Sequence, residues 1–275
     1  MSAITDLHAL RDRLAPSARM PVVFLGHGSP MNALEDTPYS RSWTVLGQSL
    51  PEPSAILVVS AHWMTRGTTL VDVSAMPRTI HDFYGFPDAL YAMDYPAPGN
   101  PGLAREVVSM LASHHAAGDD TWGLDHGAWT VLRFLYPQAR LPVFQVSIDM
   151  ARGLDHQIEV GHTLAQLRDR GVLILGSGNV VHNLRTMRFG GQPLDFALEF
   201  DRLFADRLEA RDLKSLADTA GLGSLLRMAH PTVDHYMPAL TIAGASDARD
   251  RLTFMTDAID LGSVSMRSFV FHLGA

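Results

Sequence analysis

Ala55-Ile56-Leu57-Val58-Val59-Ser60-Ala61-His62, read with the earlier run Pro21-Val22-Val23-Phe24-Leu25-Gly26-His27, decides the fold class. Both stretches are almost continuously apolar rather than alternating, the pattern of strands buried on both faces. Such strands form parallel sheets covered by helices, and each run here leads into a histidine. Open α/β sheets bind ligands outside the carboxyl ends of their strands, so both imidazoles are expected at one functional edge. Between the two runs, the loop Gly28-Ser29-Pro30-Met31-Asn32 leads to a helix through Trp43 to Leu50 that Pro51 and Pro53 end. The segment is one βαβ unit.

Outward from this unit the alternation continues. Leu7, Leu10 and Leu14 give a leading helix over 5–14, ended by Pro16. Residues 66–100 are rich in proline, glycine and aromatics without a helical or strand period, as expected of an active-site loop. Helices are expected over 101–115, up to Leu135, and over 155–170, 196–216 and 234–245. Strands are expected over 143–148, 172–176 and 265–273. The predicted fold is α/β, a three-layer αβα sandwich around a largely parallel or mixed sheet. A single catalytic domain is expected over 1–275, with the leading helix in 1–20 and the sandwich in 21–273.

Composition narrows the function. The chain has 275 residues, 47% hydrophobic and 19% charged, enough for a large core. A net charge of −7 without basic runs argues against nucleic acid. No apolar stretch reaches the roughly 20 residues of a membrane-spanning helix, and the charged start (Asp6, Arg11, Asp12, Arg13) lacks a signal-peptide core. The expected setting is the cytoplasm and the expected partners are small molecules. Zero cysteines exclude disulfides, thiolate nucleophiles and sulfur-ligated zinc, leaving imidazole and carboxylate as metal ligands.

Five histidines occupy positions suited to chemistry: His27, His62, His126, His182 and His235. His27 lies between two glycines that let the backbone approach a ligand, although a turn histidine would look the same. His62 reads equally as a strand-end core residue. The two together, early in one βαβ unit, are what indicate a mononuclear metal site. His182 follows the strand-and-turn Gly176-Ser177-Gly178-Asn179 and is expected in the first turn of a helix, where the dipole favours a neutral imidazole as base or ligand. In His230-Pro231-Thr232-Val233-Asp234-His235, Asp234 either orients His235 or is itself a ligand. His126 follows Asp125, which also fits a helix N-cap. His81 sits in the aromatic loop, where it either meets substrate or faces solvent.

Six ordered motifs carry a resemblance: Gly26-His27-Gly28-Ser29-Pro30-Met31-Asn32, Ser60-Ala61-His62-Trp63, His81-Asp82-Phe83-Tyr84-Gly85-Phe86-Pro87, Leu124-Asp125-His126-Gly127-Ala128-Trp129, Gly176-Ser177-Gly178-Asn179-Val180-Val181-His182-Asn183 and His230-Pro231-Thr232-Val233-Asp234-His235-Tyr236-Met237-Pro238. Over about 21–273 the chain resembles the DOPA-4,5-dioxygenase group of class III, LigB-like extradiol ring-cleaving dioxygenases. The resemblance implies a LigB-like fold, non-haem Fe(II) replaceable by Zn(II) in purified protein, and a catecholic substrate such as DOPA that takes up both atoms of O2. By motif, His27 and His62 match metal ligands, His182 the acid/base histidine and His126 the histidine that contacts substrate or dioxygen. His235 is expected as the third ligand, in place of the carboxylate common in such sites, with Asp234 as the alternative. His182 is expected to complete a four-coordinate zinc site, and His81 and His230 to contact substrate. Two further readings of the histidines are a zinc hydrolase and a non-catalytic, metal-dependent binding protein on the same fold.

Overall fold

The computed structural model describes residues 19–273, so the expected leading helix lies outside the described residues. Eight strands make one mixed sheet in the order β4-β3-β5-β2-β6-β1-β10-β7. They are β1 (Val22–Gly26), β2 (Ala55–Thr65), β3 (Thr69–Asp72), β4 (Ala116–Asp119), β5 (Val143–Asp149), β6 (Val172–Gly178), β7 (Asp250–Thr256) and β10 (Ser268–Leu273). A two-stranded ribbon, β8 (Ile259–Asp260) and β9 (Val264–Ser265), stands apart from it. The inner strands β5, β2, β6 and β1 are parallel, and antiparallel pairing enters where β3 meets β5 and where β10 meets β1 and β7.

The apolar runs behave as their composition requires. Val22, Phe24, Leu57, Val59 and Ile174 project to one face, under the helices Pro101–Met110 (α2), Leu154–Leu164 (α4), Asp195–Glu209 (α5) and Met237–Gly244 (α7). Val23, Leu25, Ile56, Val58, Leu173 and Leu175 project to the other face, under Pro38–Ser49 (α1) and His126–Leu135 (α3). Each of these strand side chains, fully buried, contributes roughly 1.5–3 kcal/mol. The three layers follow from strands that must hide both faces.

Departures from the sequence reading fall where the apolar signal is short or local. The stretch 66–100 contains β3 and a helical turn, Asp88–Tyr91. With β4 and β7, β3 lies toward the sheet's edges, where strands need no continuous apolar run. The helix expected over 196–216 stops at Glu209: Arg211 takes a left-handed φ of 58°, and the chain restarts as Leu213–Ala217 (α6) with Asp212 as cap. Helix α7 begins at Met237, not Asp234, leaving His235 in the turn before it. Among the described residues no helix is long and apolar enough to cross a membrane.

Helix α7 packs on α4 through glycines. A Cβ on Gly161 would lie 2.1 Å from the Thr241 carbonyl oxygen, and one on Gly244 would lie 2.2 Å from that of Ile158. Backbone cannot yield as a side-chain tip does, so any side chain here forces the helices apart. Gly161→Ala is expected to cost about 1–3 kcal/mol, read as a lower urea midpoint with unchanged slope.

Candidate metal centre

Strand β6 lies between β2 and β1, although the chain visits β1 and β2 first and returns from β5 to fill the gap. The carboxyl ends of these three strands form a topological switch point, the crevice where doubly wound sheets hold ligands. His27 directly follows β1, and its N–H donates to the Gly178 carbonyl at the end of β6 (3.1 Å). The Ser177 hydroxyl donates to the Gly127 carbonyl (2.6 Å) and therefore accepts from His27 Nδ1 (2.9 Å). That chain places the His27 proton on Nδ1 and leaves the Nε2 lone pair facing the crevice.

His62 arrives differently from the strand-end placement expected. Strand β2 runs on to Thr65, but its pairing with β5 jumps from Val59↔Val146 to Met64↔Ile148, and its pairing with β6 ends at Ser60↔Ser177. The irregular segment re-aims His62 over the end of β6, as bulges do beside functional sites. Its neighbour Gly127 must lack a side chain, since a Cβ there would sit 2.9 Å from the His62 ring and 2.5 Å from Ser60 Oγ. Asp82 lies behind the ring, 3.2 Å from His62 Nδ1, and the same carboxylate accepts from His126 Nδ1 (2.9 Å) and the His126 backbone N–H (2.8 Å). His126 opens α3, and Asp125 caps that helix through the Ala128 N–H (3.2 Å).

His235 reaches the site because Gly178 has no side chain. A Cβ at Gly178 would stand 2.3 Å from the His235 carbonyl oxygen, and that carbonyl accepts from the Asn179 N–H (2.9 Å). Asp234 accepts from His235 Nδ1 (2.5 Å), which again leaves Nε2 free. Hydrogen bonds hold His182 in an extended segment: its N–H donates to the Ala229 carbonyl, and the flanking Val181 carbonyl accepts from Ser265. It precedes a three-residue 3-10 turn capped by Asn183, in place of the helix start expected there.

His27, His62 and His235 offer ligand atoms within 4.8 Å of one another. His27 Nε2 and His62 Nε2 are 3.2 Å apart. With both protons on Nδ1, these nitrogens present lone pairs to each other, an arrangement that a shared cation relieves. Two imidazoles about 2.1 Å from one tetrahedral ion would be separated by roughly 3.4 Å, so the donor set fits a divalent transition metal. His182 lies outside this group. Its ring stacks on His235 with centroids 3.5 Å apart and planes 6° from parallel.

The same burial sets the charge. Desolvation holds His27 and His235 well below the ordinary histidine value, and neighbouring imidazoles push further the same way. Burial takes His62 down to about 3 and His182 down to about 4. For Asp82 burial works upward, but its bonds to His126 and the adjacent imidazoles bring it down to about 2, keeping it ionised.

Above the histidines opens a cavity of about 430 Å³. His27, His62, His126, His182 and His235 form its floor and inner wall, and Phe83, Phe86, Met187, Phe189, Leu261 and Val264 are among its other lining residues. His81 and His230, expected at the substrate, do not line it. His81 Nε2 donates to the Met93 carbonyl (2.9 Å) and the ring packs among Phe83, Tyr91 and Trp129. His230 is buried between Phe200 and Tyr236, its Nε2 donating to the Val180 carbonyl (2.7 Å). Asp82 and Ser177, which orient the imidazoles, stand inside quoted motifs but carry no spacing signal of their own. Only proximity in the fold picks them out.

Two outcomes follow from this geometry. Asp234→Ala and Ser177→Ala each remove the group that fixes an imidazole, and each is expected to weaken Zn(II) or Fe(II) binding by roughly 10- to 100-fold, measured by competition with a chelator. In the metal-free protein, the unfolded chain takes up protons below about pH 6.5 while the buried imidazoles do not. Stability is therefore full above that pH and is lost as pH falls, by about 2 kcal/mol per imidazole at pH 5, read as a falling melting temperature between pH 7 and 5.

Residues 22–265 match the family described as the catalytic LigB subunit of aromatic ring-opening dioxygenase. A protein of Escherichia coli K12 named 4,5-DOPA dioxygenase extradiol is 46% identical over 268 residues, 94% of this chain and 97% of that one. A protein of the same name from Beta vulgaris is 34% identical over 256 residues, 90% of this chain and 95% of its own. The crystal structure of an uncharacterized Escherichia coli K12 protein superposes with a TM-score of 0.81 at 41% identity, covering 92% of this chain and all of that one. The chain belongs to the LigB family of class III extradiol dioxygenases and is an aromatic ring-opening dioxygenase.

Proposed function

We propose that the enzyme inserts both atoms of O2 into a catecholic substrate at a mononuclear non-haem metal held by His27, His62 and His235. One observation carries this reading: three neutral imidazoles converge at the floor of an apolar cavity whose wall presents two more, His126 and His182. We take Fe(II) as the active metal and Zn(II) as the ion found in purified protein, since imidazole accepts both and zinc binds such sites more tightly. Fe(II), when bound, supplies the charge that acidifies a catechol hydroxyl and the redox chemistry that lets dioxygen react with the ring.

The chain's own groups supply the proton handling. His182 has the placement of a base: it lines the cavity and stacks on His235 instead of joining the ligand group, and burial keeps it neutral. An anionic catechol beside it raises its proton affinity, because opposite charge favours the imidazolium. It takes the proton of the second hydroxyl and returns it as the ring opens. Ionised Asp82 accepts from His126 Nδ1 and from its backbone N–H and so holds the ring in the cavity wall, beside the substrate oxygens. The apolar wall keeps bulk water away. The product retains every atom of the catechol and of O2, with an aldehyde at one end of the opened ring and a carboxylic acid at the other.

The test is anaerobic reconstitution with Fe(II), then addition of catechols, DOPA included, and air, recording oxygen uptake and the yellow semialdehyde. One O2 consumed per product is expected, with zinc-loaded protein silent. His182→Ala should lower kcat by roughly 10²- to 10⁴-fold while still binding catechol anaerobically. Ester or amide hydrolysis by the zinc form without oxygen, and no turnover of any catechol by the iron form, would overturn the reading.

A further inference from the structure

The wall of the cavity bears on which catechol enters. Beyond the histidines its lining is mostly apolar, with Phe83, Phe86, Met187, Phe189, Leu261 and Val264 among it and Ser29 adding a hydroxyl, and none of the described residues that line it carries a formal charge as Asp, Glu, Lys or Arg. The side chains toward its mouth remain uncovered: Phe189 is 84% exposed and Leu184 55% exposed. Large apolar groups left in water at a cavity mouth gain from whatever covers them. Arg185 and Arg188, on the loop that carries Met187 and Phe189, are exposed and do not line the cavity.

A zwitterionic amino-acid substituent would have to shed water against this wall without compensating partners, which is costly for charged groups. An alkyl or aryl substituent gains roughly three- to fourfold in affinity for each methylene it buries. Resting on the catechol reading above, we infer that the substrate is a catechol bearing an apolar, uncharged side chain, held by Phe83, Phe86, Met187 and Phe189, and that the amino-acid head of DOPA is a poor fit.

Oxygen uptake by the Fe(II)-reconstituted full chain would be compared for catechol, 4-butylcatechol, 3,4-dihydroxyphenylpropionate and L-DOPA, with anaerobic titration of each by tryptophan fluorescence. The expected kcat/KM for 4-butylcatechol exceeds that for L-DOPA and for the anionic propionate by about tenfold or more, and anaerobic affinity follows the same order. Phe189→Ser, at an exposed position that folding tolerates, narrows that ratio. Equal or better use of L-DOPA overturns the inference, as does preference for the propionate, which would assign the loop arginines to a carboxylate. An unchanged ratio in Phe189→Ser removes the role of the rim. If no catechol is turned over, the dioxygenase reading fails separately, and the anaerobic binding order still decides between apolar and charged substituents.

Discussion

Burying several imidazoles in one pocket is possible only if they stay uncharged, and the rest of the site is arranged around that constraint. A protonated histidine here would lose its hydration and face its neighbours' positive charge, so desolvation drives His27, His62, His182 and His235 to the neutral form. Neutral imidazole is also the metal-binding form. The energetic requirement of the fold and the chemical requirement of a metal centre coincide.

Neutrality alone does not aim a lone pair. That depends on what each Nδ1 meets: Ser177 for His27, Asp82 for His62, Asp234 for His235. Three different partners on three different elements impose the same tautomer. Asp82 has a double task, since it also holds His126 by ring and backbone and so ties the loop over 66–100 to the start of α3. Glycines permit the close approach of these elements. Gly178 lets the His235 segment rest on the end of β6, and Gly127 makes room for the His62 ring.

His182 differs from its neighbours because a ring partner, not a hydrogen bond, orients it. Stacking on His235 fixes the plane of the imidazole and leaves its nitrogens available to exchange a proton. The apolar wall beside it strengthens each polar interaction within the cavity by excluding water. The cavity thus divides into a cluster of histidines brought from strands β1 and β2, the start of α3 and two turns, and a wall of aromatic and aliphatic side chains.

Much of this was legible in the residues themselves. The apolar runs of β1, β2 and β6 declare a doubly covered sheet, because a strand buried on both faces has no room for polar alternation, and the histidines after them mark its carboxyl edge. Short strands toward the sheet's edges such as β3, β4 and β7 carry no comparable signal, and their existence depends on the strand alongside. The sequence by itself determined the fold class and the five histidines gathered at the crevice. Tertiary structure alone decided that His81 and His230 turn to backbone carbonyls, that His182 stacks on His235, and that Ser177 meets His27 and Asp82 meets His126. The physical reason is range. Apolar periodicity is written in neighbouring residues, whereas the direction of a ring nitrogen depends on partners 44 or 150 positions away that meet it only when the sheet closes.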